Sequence, residues 1–173
     1  HSQQPGGSAF EQEAKKQEAI YQSRGENVPS GYVVGRSLLS YVSTLPAGFD
    51  RSLANLGPSD RWLDIGAGEG NAVLDYYTEL FDAMHWEGRE RRGKKAHAIA
   101  MSIEDRRTPE WHETAARLSP NQIQYLYGKR MREYSPGELG RFQLVTDVIG
   151  GFSYTRYLSV FMENVLNVMD LNA

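Results

Sequence analysis

Apolar and polar positions change period along this chain, and the changes mark its elements. Residues 10–24 (FEQEAKKQEAIYQSR) are strong helix formers with a thin apolar stripe of Phe10, Ala14, Ala19 and Ile20, and Gly25 supplies a stop. A second helix is predicted over 30–45. Ser30 caps it, Tyr32, Val33, Leu38, Leu39 and Val42 form its buried face, and Pro46-Ala47-Gly48 ends it. Further on, compact apolar runs at 61–65, 96–103, 123–127 and 142–145 read as strands. Helices are predicted between and after them, over 71–84, 108–118 and 154–171. The last carries Leu158, Phe161, Val165, Leu166 and Met169 at helical spacing. Short apolar strands alternating with helices predict a doubly wound, mostly parallel α/β sheet covered on both faces. The chain divides into a disordered leader or tag remnant over 1–9, an N-terminal helical cap over 10–50 and the α/β domain over 51–173.

Composition narrows the chemistry. A length of 173 residues suits one domain with a sizeable core. A net charge of −3 gives no overall pull toward nucleic acid or an anionic membrane. The chain has no Cys, which removes disulfides, thiolate metal sites and cysteine nucleophiles together. The histidines, His1, His85, His97 and His112, show no metal-ligand spacing, so no metal is expected. No apolar run approaches the roughly 20 residues that a membrane span needs. The basic stretch Gly88 to Lys95 precedes the second strand. It therefore belongs to the amino end of the sheet, away from the edge where open α/β sheets bind ligands.

That ligand-binding edge is where the most specific motif falls. Trp62-Leu63 leads into Asp64-Ile65-Gly66-Ala67-Gly68-Glu69-Gly70. A strand that ends in an acid and breaks into alternate glycines reads as strand, tight turn, helix. Glycines there let a ligand approach the backbone closely. A dinucleotide loop needs its third glycine one residue later, where this chain has Asn71. The pattern is instead D-x-G-x-G-x-G. The alternative is a plain glycine-rich turn in some other α/β domain.

The D-x-G-x-G-x-G stretch, with the strands around it over about 55–160, resembles the first motif of the class I S-adenosylmethionine-dependent methyltransferases. The resemblance implies a Rossmann-like core with S-adenosylmethionine as cofactor, and methyl transfer to an O or N atom of an acceptor. It implies that Asp64 serves the amino end of the methionine moiety, directly or through water, and that the backbone of Gly66, Ala67, Gly68 and Gly70 curves around the cofactor. Glu104, after the second strand, takes the acid position that accepts from both ribose hydroxyls, with Asp105 as the next choice. After the third strand the family places Gly-Asp, whereas this chain has Gly128-Lys129. A Lys side chain accepts no hydrogen bond from an adenine amine. Adenine is then left to backbone groups near 129–131 and to apolar packing by Met131. Asp147, closing the fourth strand, is placed both against the cofactor and as general base or orienting group for the acceptor. Tyr154 joins it as a catalytic candidate, Phe152 as a pocket wall and Tyr32 as a lid residue.

The same resemblance exposes a shortfall. The family's fifth, sixth and seventh strands have no counterpart in this reading, which suggests a fragment, an oligomer or a second chain completing the sheet. The Asp/Asn-Pro-Pro-Tyr/Phe motif of amino-methylating DNA enzymes is replaced by Asp147-Val148-Ile149-Gly150. Small-molecule, protein and RNA acceptors remain, with small molecules and proteins favoured over nucleic acid. Lys129, Arg130 and Arg132 stand ready to steer an anionic one. An adenosyl cofactor implies a cytoplasmic location. The competing reading is a degenerate methyltransferase fold that binds or scaffolds without turnover. A nicotinamide oxidoreductase is disfavoured by Asn71.

Overall fold

The computed structural model describes residues 35–78, 95–148, 155 and 157–170. The helix expected over 10–24, Tyr32, residues 88–94 of the basic stretch, Phe152 and Tyr154 lie outside them. Four strands are present: β1 (Arg61–Ile65), β2 (His97–Met101), β3 (Ile123–Leu126) and β4 (Leu144–Asp147). They form one sheet in the order β3-β2-β1-β4, with every pairing parallel. The helices are α1 (Leu38–Thr44), α2 (Phe49–Asn55), α3 (Asn71–Tyr76), α4 (Pro109–Arg117), α5 (Pro136–Leu139) and α6 (Leu158–Val168). This is the α/β, Rossmann-like core that the alternating pattern predicts.

Side chains alternate across the sheet and divide the interior in two. Trp62, Ala98, Ala100, Ile123 and Tyr125 face α1, α2, α3 and α4, where Leu38, Tyr41, Leu53, Val73, Tyr76 and Trp111 complete one core. Leu63, Ile65, Ile99 and Met101 face the other way, onto Met131, Leu139, Phe142, Phe161, Val165 and Val168. The alanines on the first face leave room for large rings. Trp62 meets Tyr76 edge-on at 5.5 Å, and Trp111 meets Tyr125 edge-on at 5.2 Å. Such pairs add to the apolar area already buried.

Several boundaries differ from the sequence reading, each for a local reason. α1 starts at Leu38, where the Ser37 hydroxyl caps it by accepting from the Ser40 amide, while Ser30, Tyr32 and Val33 of the expected helix lie outside the described residues. Its buried face is Leu38 and Tyr41, whereas Leu39 is 62% exposed. α2 was not expected. Its amphipathic signal is only Phe49 and Leu53, one turn apart, and it starts from Gly48 at φ 102°. α3 ends at Tyr76, the Thr78 hydroxyl donates to Asp75 O just past it, and residues 79–84 of the expected helix lie outside the described residues. α6 begins at Leu158 and buries Phe161, Val165 and Val168, while Leu158 and Leu166 are largely exposed. After α6 the chain returns along the sheet. Met169 makes a parallel bridge to Phe142, whose amide donates to Val168 O and whose carbonyl accepts from Asp170 N.

Gly70 shows how tightly the sheet and helices are fitted. It caps α3 at φ 77°, and a Cβ built there would lie 2.6 Å from Cζ3 of Trp111. Gly128 also has a positive φ, 87°, but open space around it. Gly70→Ala is expected to cost roughly 2 kcal/mol or more, from backbone strain and the displaced indole together. Gly128→Ala meets strain alone and is expected to cost about 1 kcal/mol. Urea unfolding of both variants checks this, and equal losses would contradict the steric account.

Candidate functional site

The carboxyl ends of β1 and β4 meet over the glycine turn. Register places Asp64 between Ala100 and Thr146, and Ile65 between Met101 and Asp147. The turn itself has Gly66, Gly68 and Gly70 at φ 71°, 59° and 77°. Ala67 donates to Met101 O and Gly70 to Ala67 O, which folds the turn back onto the end of β2. Tyr125, on β3, adds a second restraint. Its hydroxyl donates to Gly68 O, also lies 3.3 Å from Glu104 O, and accepts from the Arg106 amide. The loops after β1 and β2 thus share one anchoring group.

Asp64 is fully buried. Thr146 Oγ1 donates to its Oδ1 at 2.7 Å and Tyr41 Oη donates to its Oδ2 at 2.8 Å. Trp62 Nε1 in turn donates to Thr146 Oγ1. Loss of solvent pushes the carboxyl up to about 7, against the opposing pull of these two hydroxyls. The negative Asp147 adds to the rise and the Arg36 guanidinium counters it. Burial beside Asp64 drives the Tyr41 phenol upward, far out of its ordinary range. The carboxylate that the resemblance assigns to a ligand ammonium therefore has both oxygens engaged within the protein. Its direct work is to hold α1 and β4 against β1.

A strap of chain leads into α1 across this region. Gly35 lies against the side chains of Glu69 and Asn71, with Glu69 Oε2 3.0 Å from the position of a Cβ. Arg36 Nη1 donates to Val148 O at 2.6 Å, just past β4. The Leu38 amide donates to Asp75 Oδ2 on α3 at 2.8 Å. Tyr41 and Arg36 were missed from sequence. The available signal was Tyr41 at i+3 from Leu38, on the same helical face. For Arg36 there was none.

The remaining candidates lie around the same edge. Glu104 follows β2 by three residues and is 53% exposed, with Arg106 Nη2 on its Oε2 at 2.6 Å. Asp105 is clasped by Arg107, whose hydrogen bonds hold that carboxyl down near 2. Arg107 also lies 5.2 Å from the ring of Tyr127. Lys129 pairs with Glu138 at 2.9 Å. Met131 is 5% exposed and packs in the second core, among Leu63, Ile99 and Phe161. Asp147 is half-buried at the end of β4. His97 contacts Asn121 O and His112 is exposed on α4. Among the described residues no group of three His, Asp or Glu is arranged to hold a metal ion, and no helix is long and apolar enough to cross a membrane.

Fold and site together define a Rossmann-like α/β domain with a glycine-lined turn at the carboxyl edge of its central strand. No protein-family model and no curated protein sequence matches the chain. Among solved structures, the crystal structure of YjhP from E. coli, a structural-genomics target, is similar at a TM-score of 0.45 and 11% identity, over 73% of this chain and 46% of that one. The chain thus spans less than half the length of that structure, and the likeness carries nothing about ligand or activity.

The buried acid makes stability depend on pH in a defined direction. Asp64 loses its proton near 3.8 when unfolded but only near 7 when folded. The folded state therefore holds the extra proton between those values. The group's contribution is complete below the lower value and is lost as pH rises through the higher one. Asp64→Asn keeps the shape without the charge. Its melting temperature relative to the parent is expected to rise steadily from pH 5 to pH 8. A difference that does not change with pH would refute the assignment.

Proposed function

We propose that this chain binds the cofactor of an S-adenosylmethionine-dependent methyltransferase, acting on an O or N atom of a small-molecule or protein acceptor. One observation carries the reading. The D-x-G-x-G-x-G turn follows the central strand of a β3-β2-β1-β4 parallel sheet, and all three of its glycines have positive φ. Ligands of open α/β sheets lie in the crevice at that edge.

The residues present fit such a cofactor. The exposed Glu104 carboxylate offers acceptors for a pair of sugar hydroxyls, once its ion pair with Arg106 is exchanged. The turn at Gly66, Ala67, Gly68 and Gly70 offers backbone groups without intervening side chains. Asp147 adds negative charge beside them, toward an ammonium or as a base for the acceptor's proton. Asp64 supports this end from within the core. Lys129 faces Glu138, so the adenine amine falls to backbone carbonyls nearby. Met131 serves the purine only as part of the core wall beneath the loop. Tyr154 remains a catalytic candidate from sequence. When bound, the cofactor supplies an electrophilic methyl on a sulfonium. The chain's task is then to align the acceptor at about 3 to 3.5 Å and, for some acceptors, to take a proton. A cytoplasmic location follows from where such a cofactor is made.

A binding or scaffolding role without turnover is the second reading. It is favoured by the Asp64 carboxylate being engaged by Tyr41 and Thr146 and by Lys129 standing where the family carries an acid. Titration calorimetry separates these possibilities. S-adenosylmethionine and S-adenosylhomocysteine are expected to bind, and NAD is not. Gly68→Val, which fills the turn at φ 59°, is expected to abolish binding while the far-ultraviolet circular dichroism of the domain persists. Affinity retained in Gly68→Val, or NAD binding alone, would overturn the proposal. Binding without product across a panel of acceptors would select the scaffold.

A further inference from the structure

The loop after β2 is pinned at two points. Ile103 O accepts from the Gly128 amide at 2.8 Å, and the Arg106 amide donates to Tyr125 Oη at 3.3 Å. Glu104 and Asp105, the two acids considered for sugar hydroxyls, form the arc between these pins. Arg107 engages both oxygens of Asp105, at 2.8 and 2.7 Å. Glu104 is the more exposed of the two, and Arg106 meets it through one oxygen. The arc therefore presents Glu104, at a height set by where Tyr125 holds the Arg106 amide.

The same phenol oxygen reaches the other side of the crevice, where it donates to Gly68 O in the glycine turn. Packing explains the ring of Tyr125 but not its hydroxyl. The ring meets Trp111 edge-on at 5.2 Å, and the Arg107 guanidinium lies 5.8 Å from its centroid. A phenylalanine ring makes both contacts. What the hydroxyl adds is its pair of hydrogen bonds, and these join the two loops that the proposed ligand touches. One atom acting as donor to one loop and acceptor from the other fixes their separation. A ligand that lies on the turn and reaches the acid must match that separation, because a hydrogen bond weakens steeply once its geometry is lost.

We infer, on the strength of the function proposed above, that the Tyr125 hydroxyl is the positioning group that sets Glu104 against the glycine turn and so makes the site selective for a nucleoside with both sugar hydroxyls. Calorimetry on the full chain compares S-adenosylhomocysteine with its 2′-deoxy analogue, which lacks one of those hydroxyls. The parent protein is expected to prefer the ribose ligand about 10- to 100-fold, the value of a hydrogen bond to a charged group. Tyr125→Phe is expected to shrink that preference at least about threefold by weakening the ribose ligand, and to leave the deoxy ligand within about twofold of the parent. Glu104→Gln removes the charged acceptor and shrinks the preference further. In the Glu104→Gln background, Tyr125→Phe is expected to change neither affinity by more than about twofold, because the hydroxyl acts through the acid.

Equal weakening of both ligands by Tyr125→Phe would show that the hydroxyl only braces the loops, and would overturn the role while leaving the methyltransferase reading intact. Unchanged affinity for both would do the same, as would losses that add in the double variant or a parent that binds both ligands equally. A parent protein that binds neither ligand would overturn the function and the role together. Should Tyr125→Phe fail to fold by circular dichroism, the hydroxyl is a requirement of the fold and the positioning role is refuted.

Discussion

The arrangement depends on one carboxyl group that cannot reach water. Asp64 lies inside the sheet–helix interface, and burying it is unfavourable unless its oxygens are satisfied. The two hydroxyls that satisfy it come from elements far apart in sequence, Tyr41 on α1 and Thr146 on β4. Trp62 completes the chain by fixing the Thr146 oxygen. A helix before the sheet, its first strand and its last strand are thereby held to one point. That requirement fixes the height at which α1 crosses β1. The height in turn decides where the strap carrying Gly35 and Arg36 meets the glycine turn.

Electrostatics and packing act together at this point. Asp64 sits on the same face as Trp62, where the rings of Tyr41, Tyr76 and Trp111 exclude solvent. The exclusion strengthens each hydrogen bond to the acid and raises the penalty for its charge. On the opposite face Leu63 and Ile65 join a cluster of apolar residues from α6, from α5 and from the chain on either side of α5. The two faces of a single strand thus do different work. One is a plain core. The other is a core interrupted by a polar junction just below the carboxyl edge of the sheet.

The sheet was legible in the sequence because its strands are short apolar runs. Strand positions follow from Trp62-Leu63, Ala98-Ile99-Ala100, Ile123 and Val145, and the parallel order follows from the helices between them. The glycine turn was legible too, because alternate glycines after a strand leave few backbone paths. The helix ends were less so. Ser30 and Ser37 are equally good caps by residue type, and pattern alone did not single out Ser37, whose hydroxyl accepts from the Ser40 amide. α2 escaped notice because two apolar residues one turn apart fall below any periodic signal. The tie between Tyr41 and Asp64 could not be read, since it joins residues through tertiary distance and neither belongs to a motif that names the other. Met131 illustrates the opposite case. Its place after β3 marks it in the sequence as a pocket candidate, and the structure adds that its unbranched apolar side chain packs in the second core.

Tyr125 carries a consequence of another kind. One phenol oxygen holds the turn after β1 and the turn after β2 at once, donating to Gly68 O and accepting from the Arg106 amide. Two loops that hang from a common peg cannot drift apart independently. Thermal motion that displaces one is felt by the other, so this rim moves as a jaw and not as separate fingers. An occupant that touches either side is gripped by both.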